Sequence, residues 1–382
     1  MLVDSFGAPG GVKQCRDSLG ILTGAAAFSI AAIMSSAPAY ASETHGFVIS
    51  WFFPSVAAQV AEKDCLEGLN PDAAGNIQRM LDEAGKTPDE IEQIMSDFPH
   101  SVYAHIAMRG RLNGKPVSPY TNPTSVPDPK IKTVTSNVGY GFNLDGIVSD
   151  DDFVDPISGE KGVDNQLFRA YGCTAIMRAE PGTRSTWPSI QWNTVQPQMG
   201  AWLIEVSGVD NARNDDDVLV RVTQATRPVV LDAISEVQAD MTFEEDGNPD
   251  TTNEVKASIK DGILLTEAFD LSLNGHRWAW PEMRFKDARI RLKLEENGNA
   301  NGIIGGFHKW APLYVPQAEG GAGYEAMLSM DLPGMYYAFR NLADADRDTE
   351  TGLNLSISST FSIEAVPAFI QRSNPQTAQS EQ

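Results

Sequence analysis

Cysteine is scarce in this chain, with three in 382 residues. There is no CxxC pair, no haem-attachment CxxCH and no Cys/His spacing of the zinc kind, which argues against thiol redox and zinc chemistry. Histidine is hardly more common, at five. His100 and His105 are five apart and would not share a helix face, and His45 falls near the start of the mature chain. Acid–base work by imidazole therefore has few candidates. There is no GxSxG elbow, HExxH pair, phosphate-binding P-loop or GxGxxG opening a helix. Positive charge is short as well: 29 Lys and Arg stand against 51 Asp and Glu, a formal −22. Such a balance repels nucleic acid and anionic membrane surfaces.

Beyond the N-terminus, no run is apolar enough to span a bilayer. Lys13 and Arg16 precede a stretch of apolar or small residues from Leu19 to Met34. Ala39-Tyr40-Ala41 then offers the small-x-small pattern of a signal-peptidase site. The apolar stretch is short of the roughly 20 residues that a span needs. The expectation is a signal peptide over 1–41, export as an unfolded chain, and a periplasmic or secreted mature protein without a membrane span. Cys15 leaves with that segment. Cys65 and Cys173 remain, and in an oxidising compartment they are expected to form a disulfide.

Within the mature chain, Ala73–Ala84 carries Ile77, Met80 and Leu81 on one stripe, with Gly85 as a stop. Thr87-Pro88-Asp89-Glu90 reads as a capping box with proline at the first helical position, and Ile91, Ile94 and Met95 follow at helical spacing. These form a helical hairpin in a partly helical segment over 42–115. A Pro/Ser/Thr/Asn-rich connector follows over 116–135. From 136 to 371 short strands predominate: Trp202–Ser207, Val218–Thr223, Val229–Ile234, Val255–Ile259, Ile263–Thr266, Ala288–Leu294 and Ile357–Ile363. A helix is expected over Pro333–Ala345 and a disordered tail over 372–382. Strands at such spacing predict a mainly β fold, a two-sheet, jelly-roll-like sandwich.

Asn143–Asn165 holds seven carboxylates and one lysine. Mutual repulsion of that kind is relieved by solvent or by a hard cation, so the stretch is a candidate calcium loop, with Asn143, Asp145, Asp150, Asp152, Asp155 and Asp164 as ligands. It departs from an EF-hand, because the first place is Gly141 and the last is Asp. Asp344–Glu350 and Asp210–Asp217 are further acidic runs, the second at a polar hairpin tip.

The other recurrence is His-basic-Trp, at His276-Arg277-Trp278-Ala279-Trp280 and His308-Lys309-Trp310. On strands, period two would set His276, Trp278 and Trp280 on one face, and likewise His308 and Trp310. Such a face suits a sugar or another flat ligand. It equally suits a sandwich core, and two His could take a transition metal. Three functions stay open: a calcium-stabilised, non-catalytic binding protein for a carbohydrate or other extracellular ligand, a polysaccharide hydrolase using a carboxylate pair, and a structural or partner-binding envelope protein.

Overall fold

A computed structural model describes residues 42–56, 61–179 and 183–372. The expected signal peptide and most of the expected tail lie outside the described residues.

Alternation of apolar and polar residues makes eight long or medium strands. They are β1 (Glu43–Pro54), β2 (Trp202–Val209), β3 (Asn214–Gln224), β4 (Asn253–Lys260), β5 (Ile263–Thr266), β6 (Trp280–Leu294), β7 (Ala300–Lys309) and β8 (Asn354–Gln371). Each pairs antiparallel with the next, and β8 returns to pair with β1 from Phe47↔Pro367 to Pro54↔Phe361. The result is a closed eight-stranded, up-and-down antiparallel barrel. Extra strands are added outside the ring, among them Phe269–His276 beside β6 and Met241–Glu244, parallel to the end of β8.

The two-sheet sandwich is therefore overturned. A strand buried on one face has the same period-two pattern in a sandwich and in a barrel. What separates them is the pairing of the first strand with the last, a contact spanning some 300 residues of sequence. Val229–Ile234, expected as a strand, contributes only an isolated bridge, Leu231↔Val237. Phe47–Phe53, expected within a partly helical segment, instead forms β1.

The barrel interior is filled. Phe52 stacks on Phe361 with centroids 4.7 Å apart and meets Trp202 and Trp280 edge-on at 4.9 and 5.7 Å. Val220, Val222, Ile259, Leu264, Ile290 and Leu292 complete the same core. The indoles are not left with unpaired donors, since Trp192 Nε1 donates to the Ser50 carbonyl and Trp202 Nε1 to that of Asn274. Truncating a fully buried aromatic such as Phe361 to Ala would cost about 3–5 kcal/mol.

Eight α-helices are present among the described residues: α1 (Ala61–Asp64), α2 (Ala73–Glu83), α3 (Pro88–Met95), α4 (Val102–Ile106), α5 (Gln166–Tyr171), α6 (Thr186–Val195), α7 (Trp310–Leu328) and α8 (Leu332–Leu342). Thr87 and Glu90 form the reciprocal capping box of α3, and Gly85 takes a left-handed φ of +81° just past α2. The first six lie in the β1–β2 connection and the last two in the β7–β8 connection. In an up-and-down ring, both connections leave from one end. The turns β2–β3, β4–β5 and β6–β7, all at the other end, have only two to five residues. The chain therefore gives one end of the barrel a cover of helix and the other a rim of polar turns.

Candidate functional site

Of the residues singled out in the sequence, the His-basic-Trp segments do not form one face. Phe269–His276 and β6 make a hairpin with His276 opposite Trp280, so Arg277, Trp278 and Ala279 are the turn. Trp278 is 54% exposed, whereas Trp280 belongs to the barrel core. His276 is half-buried, and its Nδ1 accepts from the Trp278 backbone N–H. His308 is buried on β7, edge-on to Phe285, and burial depresses its pKa. Trp310 begins α7, half-buried against Tyr336. A tight turn breaks period two, and nothing in the residue spacing announces it.

The acidic loop is more ordered by its own hydrogen bonds than by any convergence of ligands. Asn143 Oδ1 accepts from Gly146 N, Asp145 Oδ1 from Ile147 N, and Asp152 Oδ2 from Ser149 N. Asp150 is exposed. Asp155 is fully buried. It caps Ile157 and Ser158 and pairs with Arg291, and these partners hold its carboxyl low against the opposing effect of burial. Asp164 accepts from Leu144 N and Asp145 N, but burial, then the nearby Asp145 and Asp344 carboxylates, push it up to about 6. Asp344 is raised for the same reasons, burial first. Among the described residues, no three His, Cys, Asp or Glu side chains converge closely enough to hold a metal ion. An ion on this loop would have to complete its shell with backbone carbonyls, amides and water.

Cys65 and Cys173 form a disulfide across 108 residues. It packs beside Val134, Phe153, Val163 and Phe168, in a small core under the acidic loop. No helix among the described residues is long and apolar enough to cross a membrane.

The residues that sequence reasoning passed over lie on the outer wall of the barrel. There the 136–165 loop and Thr183–Arg184 stand on either side of β5–β8 and leave a groove of about 810 Å³. Its floor comes from alternate, outward-pointing positions: Arg291 and Lys293 on β6, Asn301 on β7, and Ser362 and Glu364 on β8. Tyr140 and Ile157 form one wall. Gly302 is required in the floor, since a Cβ there would lie 1.9 Å from the Arg291 carbonyl oxygen. Each cation already has an acid: Arg184 with Glu364, Arg291 with Asp155 and Glu160, Lys293 with Glu295. Arg184 also lies over the Trp51 ring at 4.5 Å. The groove thus offers fixed donors beside fixed acceptors, with apolar surface from Tyr140, Ile157 and Ile263, rather than a trap for one sign of charge. In sequence its parts are scattered over some 225 residues, so no local motif marks it.

No protein-family model, curated protein or solved structure matches this chain.

Proposed function

We propose that the chain is an exported, non-catalytic binding protein that takes a carbohydrate in the groove over β5–β8. The observation that carries the reading is the groove's size together with its mixed lining. About 810 Å³ is within the range of small-molecule sites, and rigid strands flanked by loops are a common platform for them. A polyhydroxylated ligand needs donors and acceptors in alternation, with apolar surface for its ring faces. Arg184, Arg291, Lys293, Asn301 and Glu364 supply the former, and Tyr140 and Ile157 the latter. Paired cations of this kind favour a sugar over a free phosphate or sulfate. Export is supported by the N-terminal sequence pattern and by the buried disulfide, which persists in oxidising compartments. A calcium ion on the 143–165 loop belongs to the same proposal. It is supported by the mutual rise of Asp164 and Asp344 beside Asp145.

The test is a glycan-binding screen on the mature protein, followed by titration of any hit against two kinds of variant. Asn301→Trp combined with Lys293→Ala, both on the surface, should weaken binding at least tenfold. Trp278→Ala should leave it within twofold. The opposite pattern would move the site to the exposed indole, and turnover of the bound glycan would replace the binding reading with the hydrolase.

A further inference from the structure

On β4, Val255, Ala257 and Ile259 belong to the barrel core, so the alternate residues Lys256, Ser258 and Lys260 point outward. The register sets Lys260 opposite Ile263 on β5, and Ile263 opposite Lys293 on β6. In the next row Ser258 stands opposite Leu265, and Leu265 opposite Arg291. Ile263 and Leu265 are both exposed. They make an apolar strip with Lys260 on one side and Lys293 and Arg291 on the other. Ile263, Arg291 and Lys293 line the groove, and Lys260 lies one strand past its edge.

Three bases line the groove, Arg184, Arg291 and Lys293, against one acid, Glu364. The acids that pair Arg291 and Lys293, namely Asp155, Glu160 and Glu295, stand outside that lining. Lys293 directs one of its three donors to Glu295, which leaves two. Lys260 has no ion pair or side-chain hydrogen bond among the described residues, and the adjacent Asp261 pairs with Arg213 instead. Two strand spacings of about 4.8 Å separate Lys260 from Lys293, a gap that two four-carbon stems can close over Ile263. The chain as a whole is strongly acidic. Charges more than about 8 Å away are largely screened at physiological ionic strength, so the local surplus of bases decides what docks here.

We infer that the ligand is an acidic glycan, with a sugar ring on Ile263 and Leu265 and its anionic group held between Lys260 and Lys293. The inference rests on the carbohydrate reading of the groove and names the class of sugar. Lys260 is then the residue that sets specificity, since it meets the charge and not the rest of the chain. Two sources supply such a charge, the carboxylate of a uronic acid and a sulfate ester, and both accept charge-assisted hydrogen bonds from ammonium groups.

The measurement is calorimetric titration of the mature chain with oligogalacturonate and oligoglucuronate, each compared with its methyl ester, which loses the charge and keeps the ring. At least one acid form should bind tenfold or more tightly than its ester. Raising salt from about 0.05 to about 0.5 M should narrow that preference. Lys260→Ala should reduce it at least threefold, and Lys260→Arg should keep it. Equal affinity for acid and ester, or an unchanged preference in Lys260→Ala, would overturn the acidic ligand and leave the carbohydrate reading standing. A neutral glycan that binds while neither acid form does has the same meaning. Binding of no glycan at all would remove the carbohydrate reading itself. A sulfated galactan oligomer of matched length separates the two sources: tighter binding than the uronates assigns the sulfate ester, and weaker binding the carboxylate.

Discussion

At the scale of single residues, Asp164 shows how burial turns a charge against the fold. Its carboxyl is held near 6 by burial and by the Asp145 and Asp344 carboxylates, although two backbone N–H groups favour the anion. A raised pKa means that the folded chain binds this proton more tightly than the unfolded one. Its contribution is therefore intact below about pH 4 and is lost as pH rises to about 6. Asp164→Asn keeps an acceptor for Leu144 and Asp145 and removes the charge. In chelator it should be more stable than the parent at pH 7 by about 2 kcal/mol and equal to it near pH 4, by urea unfolding. The variant should itself keep a smaller slope, from Asp344. Added calcium gives the second arm. If an ion relieves this repulsion, calcium stabilises the parent and not Asp164→Asn, and if it stabilises neither, the calcium proposal falls.

At the scale of elements, the helical layer is joined by one buried polar node. Glu325 on α7 accepts two bonds in a fork from Arg109, at 2.8 and 2.9 Å, one from the Tyr120 hydroxyl at 2.6 Å and one from Leu332 N at the start of α8. Asp331 caps α8 and pairs with Arg79 of α2. Both members of the Arg109–Glu325 pair are out of solvent, so removing one charge strands the other. Glu325→Gln should cost about 3–5 kcal/mol. Hydrogen exchange would show where the loss falls: amides of α2, α7 and α8 should lose protection before those of β2 and β3. Uniform loss would mean that helices and barrel unfold as one unit. The helices themselves differ in how openly the sequence declares them. Thr87-Pro88-Asp89-Glu90 announced α3 because a capping box is local chemistry. α7 escaped because Pro316 and the glycines at 320, 321 and 323 read as breakers, and the helix does break its φ/ψ at Gly321.

At the scale of the whole molecule, the Cys65–Cys173 bridge ties the segment before α2 to the end of α5. Closing a loop of about 100 residues limits the unfolded chain and stabilises the fold by about 5 kcal/mol in the chain-entropy model. Replacing both cysteines by Ala should lower the unfolding free energy by that amount, read as a lower urea midpoint, while the far-ultraviolet spectrum keeps its strand signal. An unchanged midpoint would mean that the unfolded chain keeps this segment together without the bond.

The sequence by itself determined whatever is written in neighbouring residues: the acidic balance, the caps of α2 and α3, the alternation that makes β2, β3, β4 and β5, and the cysteine pair. Tertiary structure alone decided the rest. Whether alternating strands stack as two sheets or close as a ring depends on β1 meeting β8, and local periodicity is identical in both. The groove collects Tyr140, Arg184, Lys293, Asn301 and Glu364 from separate stretches. Pairings across such distances are set by the packing of the whole chain, and adjacent residues hold no trace of them.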